Sequence, residues 1–296
     1  MVFNLDSYRQ KEFAQYIFGH GFQADSYGKQ GYELKLLAVY LRDECGMSEK
    51  EIHKYLTDFC EREIENYHFR RHYKLIETAC KYARDKKNVL IQVDYLPVYQ
   101  EEITYIDSLD ISYDEKKLMF SILLLKKLDK ECFEQRNGVD YKMAYLAADE
   151  QKLRFLKKTA GVSTKLDIPK DIFYHWREKG YIRVSFAGFI LDFMDQMDHS
   201  GVEIMRVKHY DCFGAYWDLL FSGDKITMCK VCSKPIKKTS ANKCYCSDHM
   251  AFRESVVAHK TKQIECKSCG RKFFVSAHAV KAKVCPSCSR KEKNNV

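Results

Sequence analysis

The sequence lacks any run of eighteen apolar residues, which is about the minimum for a helix that crosses a membrane. Its longest apolar stretch, residues 118–128, is interrupted by Ser121 and Lys126, and this pattern predicts a buried helix instead. The N-terminal residues MVFNLDSYRQKEF also lack the basic-then-apolar order of a signal peptide. We therefore expect a cytoplasmic protein without a membrane partner.

Signature motifs of common enzyme classes are missing as well. The chain has no G-x-x-x-x-G-K-[ST], no G-x-G-x-x-G, no H-E-x-x-H and no G-x-S-x-G motif. A nuclease of the His-Asn-His type often carries paired Cys-x-x-Cys motifs, but it needs a His pair or a His–Asn pair between them. His259 and His278 are isolated among small residues and lysines. We expect no catalytic residues and no enzymatic activity.

Cysteine, in contrast, is abundant, and eight of the 13 cysteines lie in close pairs within the last 68 residues. This clustering favours metal thiolates over disulfides. The distal pairs, Cys266-x-x-Cys269 and Cys285-x-x-Cys288, have the spacing of a four-cysteine zinc ribbon, and Gly270 can adopt the left-handed backbone that such a knuckle often needs. Four protein ligands leave no position for a catalytic water, so this zinc would be structural.

A proximal metal site is predicted between residues 229 and 249. Cys229-x-x-Cys232 forms its first half, and Cys244, Cys246 and His249 are three candidates for the two remaining positions. Because Cys246-x-x-His249 repeats the two-residue spacing, we expect it to complete the site, with Cys244 left open as a replacement for either residue. The sequence thus predicts two Zn²⁺ ions per chain.

The positive charge of the chain is concentrated in the same region. Residues 222–296 contain 17 Lys and Arg against 5 Asp and Glu, a formal +12, whereas residues 1–221 contain 33 against 36, a formal −3. A basic tail on a near-neutral body indicates a polyanionic partner, DNA or RNA, although a solubilising tail has the same composition. The candidate nucleic-acid contacts are Lys230, Lys234, Lys237, Lys238, Lys243, Arg271, Lys272, Lys281, Lys283, Arg290 and Lys291.

The rest of the chain is predicted to be mostly α. Capping boxes at Ser48-x-x-Glu51 and Ser112-x-x-Glu115 begin two helices, the second spanning about 113–135 and ending at Gly138. A short strand in residues 88–99 is expected to end at Pro97. The expected organisation is a helical body (1–140), a winged-helix-like unit with a connector (141–221), a proximal zinc module (222–255) and a distal zinc ribbon with a basic tail (256–296).

The winged-helix expectation depends on the order of elements in residues 147–195. A helix, a turn at Gly161, a second helix at about 169–179 and two strands around Gly188 follow one another. In a winged helix the second helix can enter a major groove, although many such units contact only proteins. Its candidate contacts with DNA are Lys170, His175, Arg177 and Lys179.

The C-terminal sequence also resembles that of a known group of proteins. The run CKVCSKPIKKTSANKCYCSDH followed by ECKSCGRKFFVSAHAVKAKVCPSCSRK resembles the tandem zinc-binding C-terminus of uncharacterised proteins of phages and prophages of Firmicutes. FGAYWDLLFSGDK and YELKLLAVYLRDECGMS are similar to earlier parts of those proteins, although His249 stands where a cysteine is usual. The resemblance implies a phage setting and nucleic-acid handling without a defined activity, and our first hypothesis is a regulator of phage transcription or replication in a bacterial cytoplasm. The alternative is a non-enzymatic module that docks on a host complex such as RNA polymerase or a defence system.

Overall fold

The chain folds into two compact units, Met1–Leu220 and Phe221–Val296. The computed structural model describes residues 8–24, 26–138, 145–146, 150–163, 167–185, 188–195, 197, 201–239, 244–249, 261–270 and 272–276. These residues are mostly helical, with ten α-helices and nine short strands among them, so the predicted class is confirmed at this level. Within the described ranges, none of the helices has the length and apolar character needed to cross a membrane.

Four helices share the first hydrophobic core of the larger unit. Leu34, Leu37 and Leu41 of the second helix are fully buried there. The capping box at Ser48 is present, since Glu51 accepts hydrogen bonds from its backbone N–H and its hydroxyl. The helices are α1 (Gln10–His20), α2 (Tyr27–Asp43), α3 (Glu49–Glu63) and α4 (Phe69–Arg84).

The helices α2 and α4 pack side by side and run in the same direction. At their N-terminal ends the Tyr27 hydroxyl donates to the Arg71 carbonyl at 3.0 Å. At their C-terminal ends the Arg42 guanidinium donates to the carbonyls of Ala83 and, at 3.0 Å, Asp85. The two positive ends of the helix dipoles therefore lie together.

A second core joins the middle of the chain to its later elements. Phe120, Trp176 and Trp217 are among its fully buried side chains. The long helix begins at the predicted capping box of Ser112 and ends at Gly138, whose φ of +63° closes it. The helices are α5 (Gln100–Ser108), α6 (Tyr113–Asn137), α7 (Glu150–Ala160), α8 (Tyr174–Glu178), which follows a π-helical turn at Ile168–Phe173, α9 (Asp192–Asp195) and α10 (Phe213–Phe221).

Two small sheets complete this unit. Strand β1 (Leu96–Tyr99) pairs antiparallel with β5 (Glu203–Val207), and β2 (Tyr145–Leu146), β4 (Gly188–Ile190) and β3 (Arg183–Ser185) form a three-stranded antiparallel sheet in that order. The prediction that Pro97 ends its strand is wrong, because Pro97 lies inside β1 opposite Arg206. Its missing N–H is tolerated because β1 pairs with β5 alone among the described strands.

The packing groups residues differently from the expected segments of the body. The second core draws on Tyr8, on residues 91–128 and on residues 153–217 together, whereas the buried residues of the first core lie within residues 17–83. The second core therefore spans position 140, the expected boundary between the helical body and the winged-helix-like unit. The reason is that α7, α8 and α10 bury their apolar faces against α6.

The smaller unit contains two antiparallel hairpins in its described residues. Strand β6 (Ile226–Met228) pairs with β7 (Pro235–Lys237), and β8 (Thr261–Glu265) pairs with β9 (Lys272–Ser276). A single 3₁₀ turn, Ser247–His249, follows the first hairpin. Each hairpin loop contains a Cys-x-x-Cys pair, so the strands serve chiefly to hold these loops.

Candidate metal centre and basic hairpins

The proximal loop between β6 and β7 has the geometry of a metal-binding knuckle. Cys229 follows β6 directly, and its carbonyl accepts the N–H of Ser233 at 2.8 Å. The Cys229 N–H donates to the Lys234 carbonyl at 2.8 Å and closes the loop. Ser233 adopts a φ of +59°, a left-handed conformation that is uncommon for a residue with a side chain. The chain is thereby bent so that the two sulfurs face the same side.

The turn at Ser247–His249 supplies the other two candidate ligands. The N–H of His249 donates to the Cys246 carbonyl at 3.1 Å, and this turn brings the imidazole next to the Cys246 thiol. The side chains of Cys229, Cys232, Cys246 and His249 each offer one atom, and these atoms all lie within 4.8 Å of one another. The four residues could hold one metal ion, and they are the set that the spacing predicts.

Two of the three separations measured between candidate ligand atoms fit a small tetrahedral ion, and the third is shorter. The Sγ atoms of Cys232 and Cys246 are 3.8 Å apart, and Nδ1 of His249 is 3.8 Å from Sγ of Cys229 and 3.1 Å from Sγ of Cys246. A tetrahedral zinc with bonds of about 2.0–2.3 Å places its ligands roughly 3.4–3.8 Å from one another. Three sulfurs and one ring nitrogen are also the donor types that zinc prefers.

Cys244 has a different role in the loop. Its carbonyl accepts the N–H of Lys230 at 3.0 Å, so its backbone supports the knuckle. Its thiol does not belong to the group of four converging ligand atoms. The alternative in which Cys244 replaces Cys246 or His249 is therefore not the arrangement that the structure has.

The electrostatics of the sulfurs favour a bound cation. Burial alone would raise the pKa of the Cys229 thiol, but backbone N–H groups of Cys232, Cys246 and Val231 directed at its sulfur lower that pKa to about 6. Burial and the neighbouring sulfurs raise the pKa of Cys232. Three thiolates so close together repel one another, so the fully ionised set requires a positive ion among them.

The distal loop repeats the backbone of the proximal one. Cys266 follows β8 directly, its carbonyl accepts the N–H of Gly270 at 2.8 Å, and Gly270 has a φ of +69°. In both hairpins the next strand begins six residues after the first cysteine. Cys266 is buried and Cys269 is exposed, while the other two predicted ligands, Cys285 and Cys288, lie outside the described residues. This loop therefore has the form of a knuckle that presents one pair of thiols.

The predicted basic residues of the proximal hairpin lie on its surface. Lys230, Lys237 and Lys238 are exposed and Lys234 is partly buried. On the distal hairpin Lys272 is exposed. The remaining candidates, Lys243, Arg271, Lys281, Lys283, Arg290 and Lys291, lie outside the described residues.

The helix predicted to enter a DNA groove has much of its basic charge engaged with the body. His175 Nδ1 lies 3.1 Å from a carboxylate oxygen of Glu115, and Lys179 Nζ donates to the carbonyl of Asp110 at 2.9 Å. Arg177 lies over the ring of Tyr174, 4.9 Å from its centroid. These contacts orient α8 against α6 and its preceding loop, which reduces the charge available to a phosphate backbone.

Sequence reasoning missed two features of this site. The left-handed Ser233 carries no glycine signal, since serine rarely adopts that conformation. Lys267 occupies the same place in the distal knuckle as Lys230 in the proximal one and is exposed. A direct alignment of CKVC with CKSC would have found it.

Comparisons of the chain with protein-family models, with curated proteins and with solved structures give no match. The resemblance to phage-encoded proteins therefore stays a prediction. The function has to be argued from the chemistry of the two hairpins and from the charge that surrounds them.

Proposed function

We propose that this is a non-enzymatic zinc protein whose C-terminal unit binds DNA or RNA, acting as a phage-type regulator of transcription or replication in the bacterial cytoplasm. The observation that supports the proposal is that basic side chains lie within and next to the metal-binding knuckles. Lys230 lies inside the Cys229–Cys232 knuckle, Lys237 ends the strand that leaves it, and Lys238 follows that strand directly.

Zinc is the metal that best explains the ligand set. Thiolates and imidazole exclude magnesium and calcium, which prefer oxygen ligands, and the four donors leave no open position for catalysis. We assign one zinc to Cys229, Cys232, Cys246 and His249, and a second to Cys266, Cys269, Cys285 and Cys288 by analogy of the two knuckles. Both ions would have a structural role.

A rigid metal-bound hairpin is an effective support for phosphate contacts. A lysine ammonium that is held on a preorganised loop loses less conformational freedom on binding than one on a disordered chain. The repetition of the lysine directly after the first cysteine, at Lys230 and Lys267, gives two hairpins the same charged position. Several such contacts along one backbone would give affinity with strong salt dependence and little need for a base sequence.

The salt dependence of binding tests the nucleic-acid part of the proposal. We expect the full chain to bind labelled single- and double-stranded oligonucleotides at low salt, with a log–log slope of about −0.7 to −0.9 per phosphate neutralised. Lys237→Gln with Lys238→Gln should reduce that slope by about one to two. Lys50→Gln with Lys54→Gln, the same charge change on the exposed face of α3, should leave it unchanged. Absence of binding to any oligonucleotide at low salt would refute this part.

Elemental analysis tests the metal part independently. Protein purified without chelator should contain two zinc ions per chain. Cys246→Ser should lower the count to one, whereas Cys244→Ser, which alters a neighbouring thiol outside the ligand set, should leave two. A count of zero in the unaltered protein would contradict both sites.

A second candidate function is docking on a host protein complex such as RNA polymerase or a defence system. It is supported by the region around α8, where the order α7, α8, β3, β4 and the sheet order β2-β4-β3 agree with a winged helix. The exposed residues there include Tyr174 and Val184, 54% and 59% exposed, while His175 and Lys179 are engaged with acidic residues or backbone of the body. Such a face suits a protein surface better than a phosphate backbone. Binding to a host complex that persists at high salt would favour this candidate.

A further inference from the structure

A second surface with an unusual composition lies on the larger unit, at the joined N-terminal ends of α2 and α4. Three aromatic side chains are exposed there: Tyr27 by 40%, Phe69 by 52% and Tyr73 by 42%. Phe69 and Tyr73 are one helical turn apart, with ring centroids separated by 5.3 Å and an interplanar angle of 51°. We call these three residues and the basic residues around them the α2–α4 surface.

The basic residues of this surface are interleaved with the rings. Arg70, Arg71 and Lys74 of α4 and Lys29 of α2 are all exposed. Within the described part of the chain, none of these four has a carboxylate at ion-pair distance. The surface therefore offers four cations that are available to an external anion.

The described acidic residues closest in sequence either have other partners or lie outside the two helices. Glu63 at the end of α3 pairs with Arg62 at 2.7 Å, and Glu77 lies 3.6 Å from His53. Glu65 is exposed in the loop before α4. The first turns of α2 and α4 contain no acidic residue. Cations at the positive ends of two parallel helix dipoles are destabilising by themselves, so this arrangement gains stability when an anion binds.

The rings are held in place instead of being free to collapse onto the protein. Tyr27 is fixed through its hydroxyl, which donates to the Arg71 carbonyl, and the Tyr73 ring lies edge-on to the ring of His53, with centroids 6.4 Å apart. Phe69 has no polar atom, and its position is set by its place in the helix next to Tyr73. An aromatic surface that stays exposed and ordered is suited to stacking with a flat partner.

We propose that the α2–α4 surface binds single-stranded nucleic acid, with unpaired bases stacked on Phe69 and Tyr73 and phosphates on Arg70, Arg71 and Lys74. Exposed rings alternating with cations are the pattern of single-strand binding surfaces, because each base has a face to stack and each nucleotide a phosphate. Paired bases are already stacked and present no free face to an exposed ring. This binding is separate from that of the C-terminal unit and does not depend on it.

Matched substitutions in the full chain test the stacking and the charge separately. We expect Phe69→Ala to weaken binding of labelled oligo-dT and oligo-U by roughly five- to a hundred-fold, the range for loss of one stacked base. Phe133→Ala removes a 37% exposed ring from α6 and should have no effect. Arg70→Gln with Arg71→Gln should reduce the salt slope by about one to two, whereas Lys81→Gln with Lys86→Gln, in the last turn of α4 and just beyond it, should not.

Photocrosslinking of the full chain distinguishes this surface from the C-terminal unit. Oligonucleotides carrying 5-bromodeoxyuridine or 4-thiouridine should crosslink to peptides that contain Tyr27, Phe69 or Tyr73. Crosslinks confined to residues 221–296, with Phe69→Ala binding like the unaltered protein, would overturn this inference and leave the proposed function standing. Crosslinks at α2 and α4 that survive Lys237→Gln with Lys238→Gln would support it even if the C-terminal unit failed to bind. Capture of an acidic protein segment in place of either oligonucleotide would also overturn it.

Discussion

The two units of this protein are stabilised by different means. The larger unit buries dozens of aliphatic and aromatic side chains in two cores, with Trp176 and Trp217 fully enclosed. In the described residues of the smaller unit the buried set is nearly restricted to Ile226, Pro235 and three cysteines. Cysteines that should be ionised to bind metal cannot serve as an ordinary hydrophobic core. We therefore expect the smaller unit to depend on a bound metal for its stability, whereas the larger one depends on apolar burial.

The two units also differ in how they use their charged residues and thiols. The smaller unit concentrates lysines and thiols on short hairpins, where a bound metal ion would fix the backbone and leave the lysines outside. Several charged residues of the larger unit form ion pairs that fix helices, for example Lys117 with Asp218 at 2.6 Å. Its α2–α4 surface is the part that we interpret as a binding surface. Perturbations that act on one source of stability should therefore spare the other unit.

Metal removal should have the largest effect, and it should be confined to the smaller unit. Structural zinc contributes about 10–16 kcal/mol of apparent binding free energy in small zinc-dependent folds, more than hairpins of this size can replace by packing. We expect chelation to make residues 221–296 susceptible to limited proteolysis. Far-ultraviolet circular dichroism should change little, because the ten helices in the described part of the chain lie almost wholly within residues 1–220.

The tryptophans provide the control for that experiment. Both tryptophans of the chain lie in the larger unit, so their fluorescence reports its unfolding alone. The thermal midpoint measured by tryptophan fluorescence should be the same with and without chelator. A large shift of that midpoint would show that the two units unfold together and would contradict their independent stabilisation.

A cavity in the larger unit should have the next largest effect. Phe120 is fully buried and its ring centroid lies 5.4 Å from that of Trp217. Phe120→Ala should lower the free energy of unfolding by about 3–5 kcal/mol, as measured by urea denaturation with tryptophan fluorescence. The zinc content should remain that of the unaltered protein. Loss of zinc in this variant would contradict the independence of the two units.

Features of the fold and of the candidate metal site could be predicted from the sequence where they depend on neighbouring residues. The capping boxes at Ser48 and Ser112 and the stop at Gly138 fixed three helix ends, because a cap is decided within four residues. The proximal ligand set was likewise predicted from spacing, since a turn of three residues brings His249 to Cys246. These features could be predicted because they depend only on residues that are close together in the sequence.

Features that depend on distant contacts were not predictable in the same way. Nothing near Pro97 indicates that residues 203–207 lie beside it, so the strand was expected to end there. The sharing of one core by residues 91–128 and 153–217 is also a property of tertiary packing. The α2–α4 surface was missed because Tyr27 and Arg71 meet only after two helices pack side by side. No local pattern in the sequence predicts the contact between Tyr27 and Arg71.

A close approach of two helices should give a smaller effect than the cavity. Gly214 in α10 lies against α7, and a Cβ at this position would be 1.8 Å from the Ala160 carbonyl oxygen. Gly214→Ala should therefore force α10 away from α7 and lower the free energy of unfolding by roughly 1–3 kcal/mol. Gly19→Ala, where a Cβ meets nothing within 4 Å, should instead stabilise α1 by about 0.5–1 kcal/mol. Urea denaturation with tryptophan fluorescence compares the two variants, and equal effects would contradict the close approach.

The smallest expected effect is on the pH dependence of the free energy of unfolding, which should differ between the two units. Burial raises the pKa of Glu115, but hydrogen bonds from the Ser112 backbone and hydroxyl and from His175 outweigh it, so the net pKa lies below the usual value. A carboxylate whose pKa is lower in the folded state stabilises above the unfolded-state pKa of about 4.3 and loses this effect as the pH falls through the folded value. Glu115→Gln should therefore lower the free energy of unfolding by about 1 kcal/mol at pH 7 and converge with the unaltered protein at low pH.

The matched control for this titration is the other capping box of the larger unit. Glu51 caps Ser48 in the same way but is exposed, and its described hydrogen bonds are to Ser48 alone, whereas Glu115 also contacts His175 and Trp176. Glu51→Gln should therefore change the pH dependence less than Glu115→Gln in tryptophan-monitored urea denaturation. The smaller unit should respond at higher pH, because protonation of thiolates and imidazole releases the metal before the Glu115 carboxylate titrates. Zinc release that coincides with the unfolding of the larger unit would mean that one acid-sensitive contact controls both.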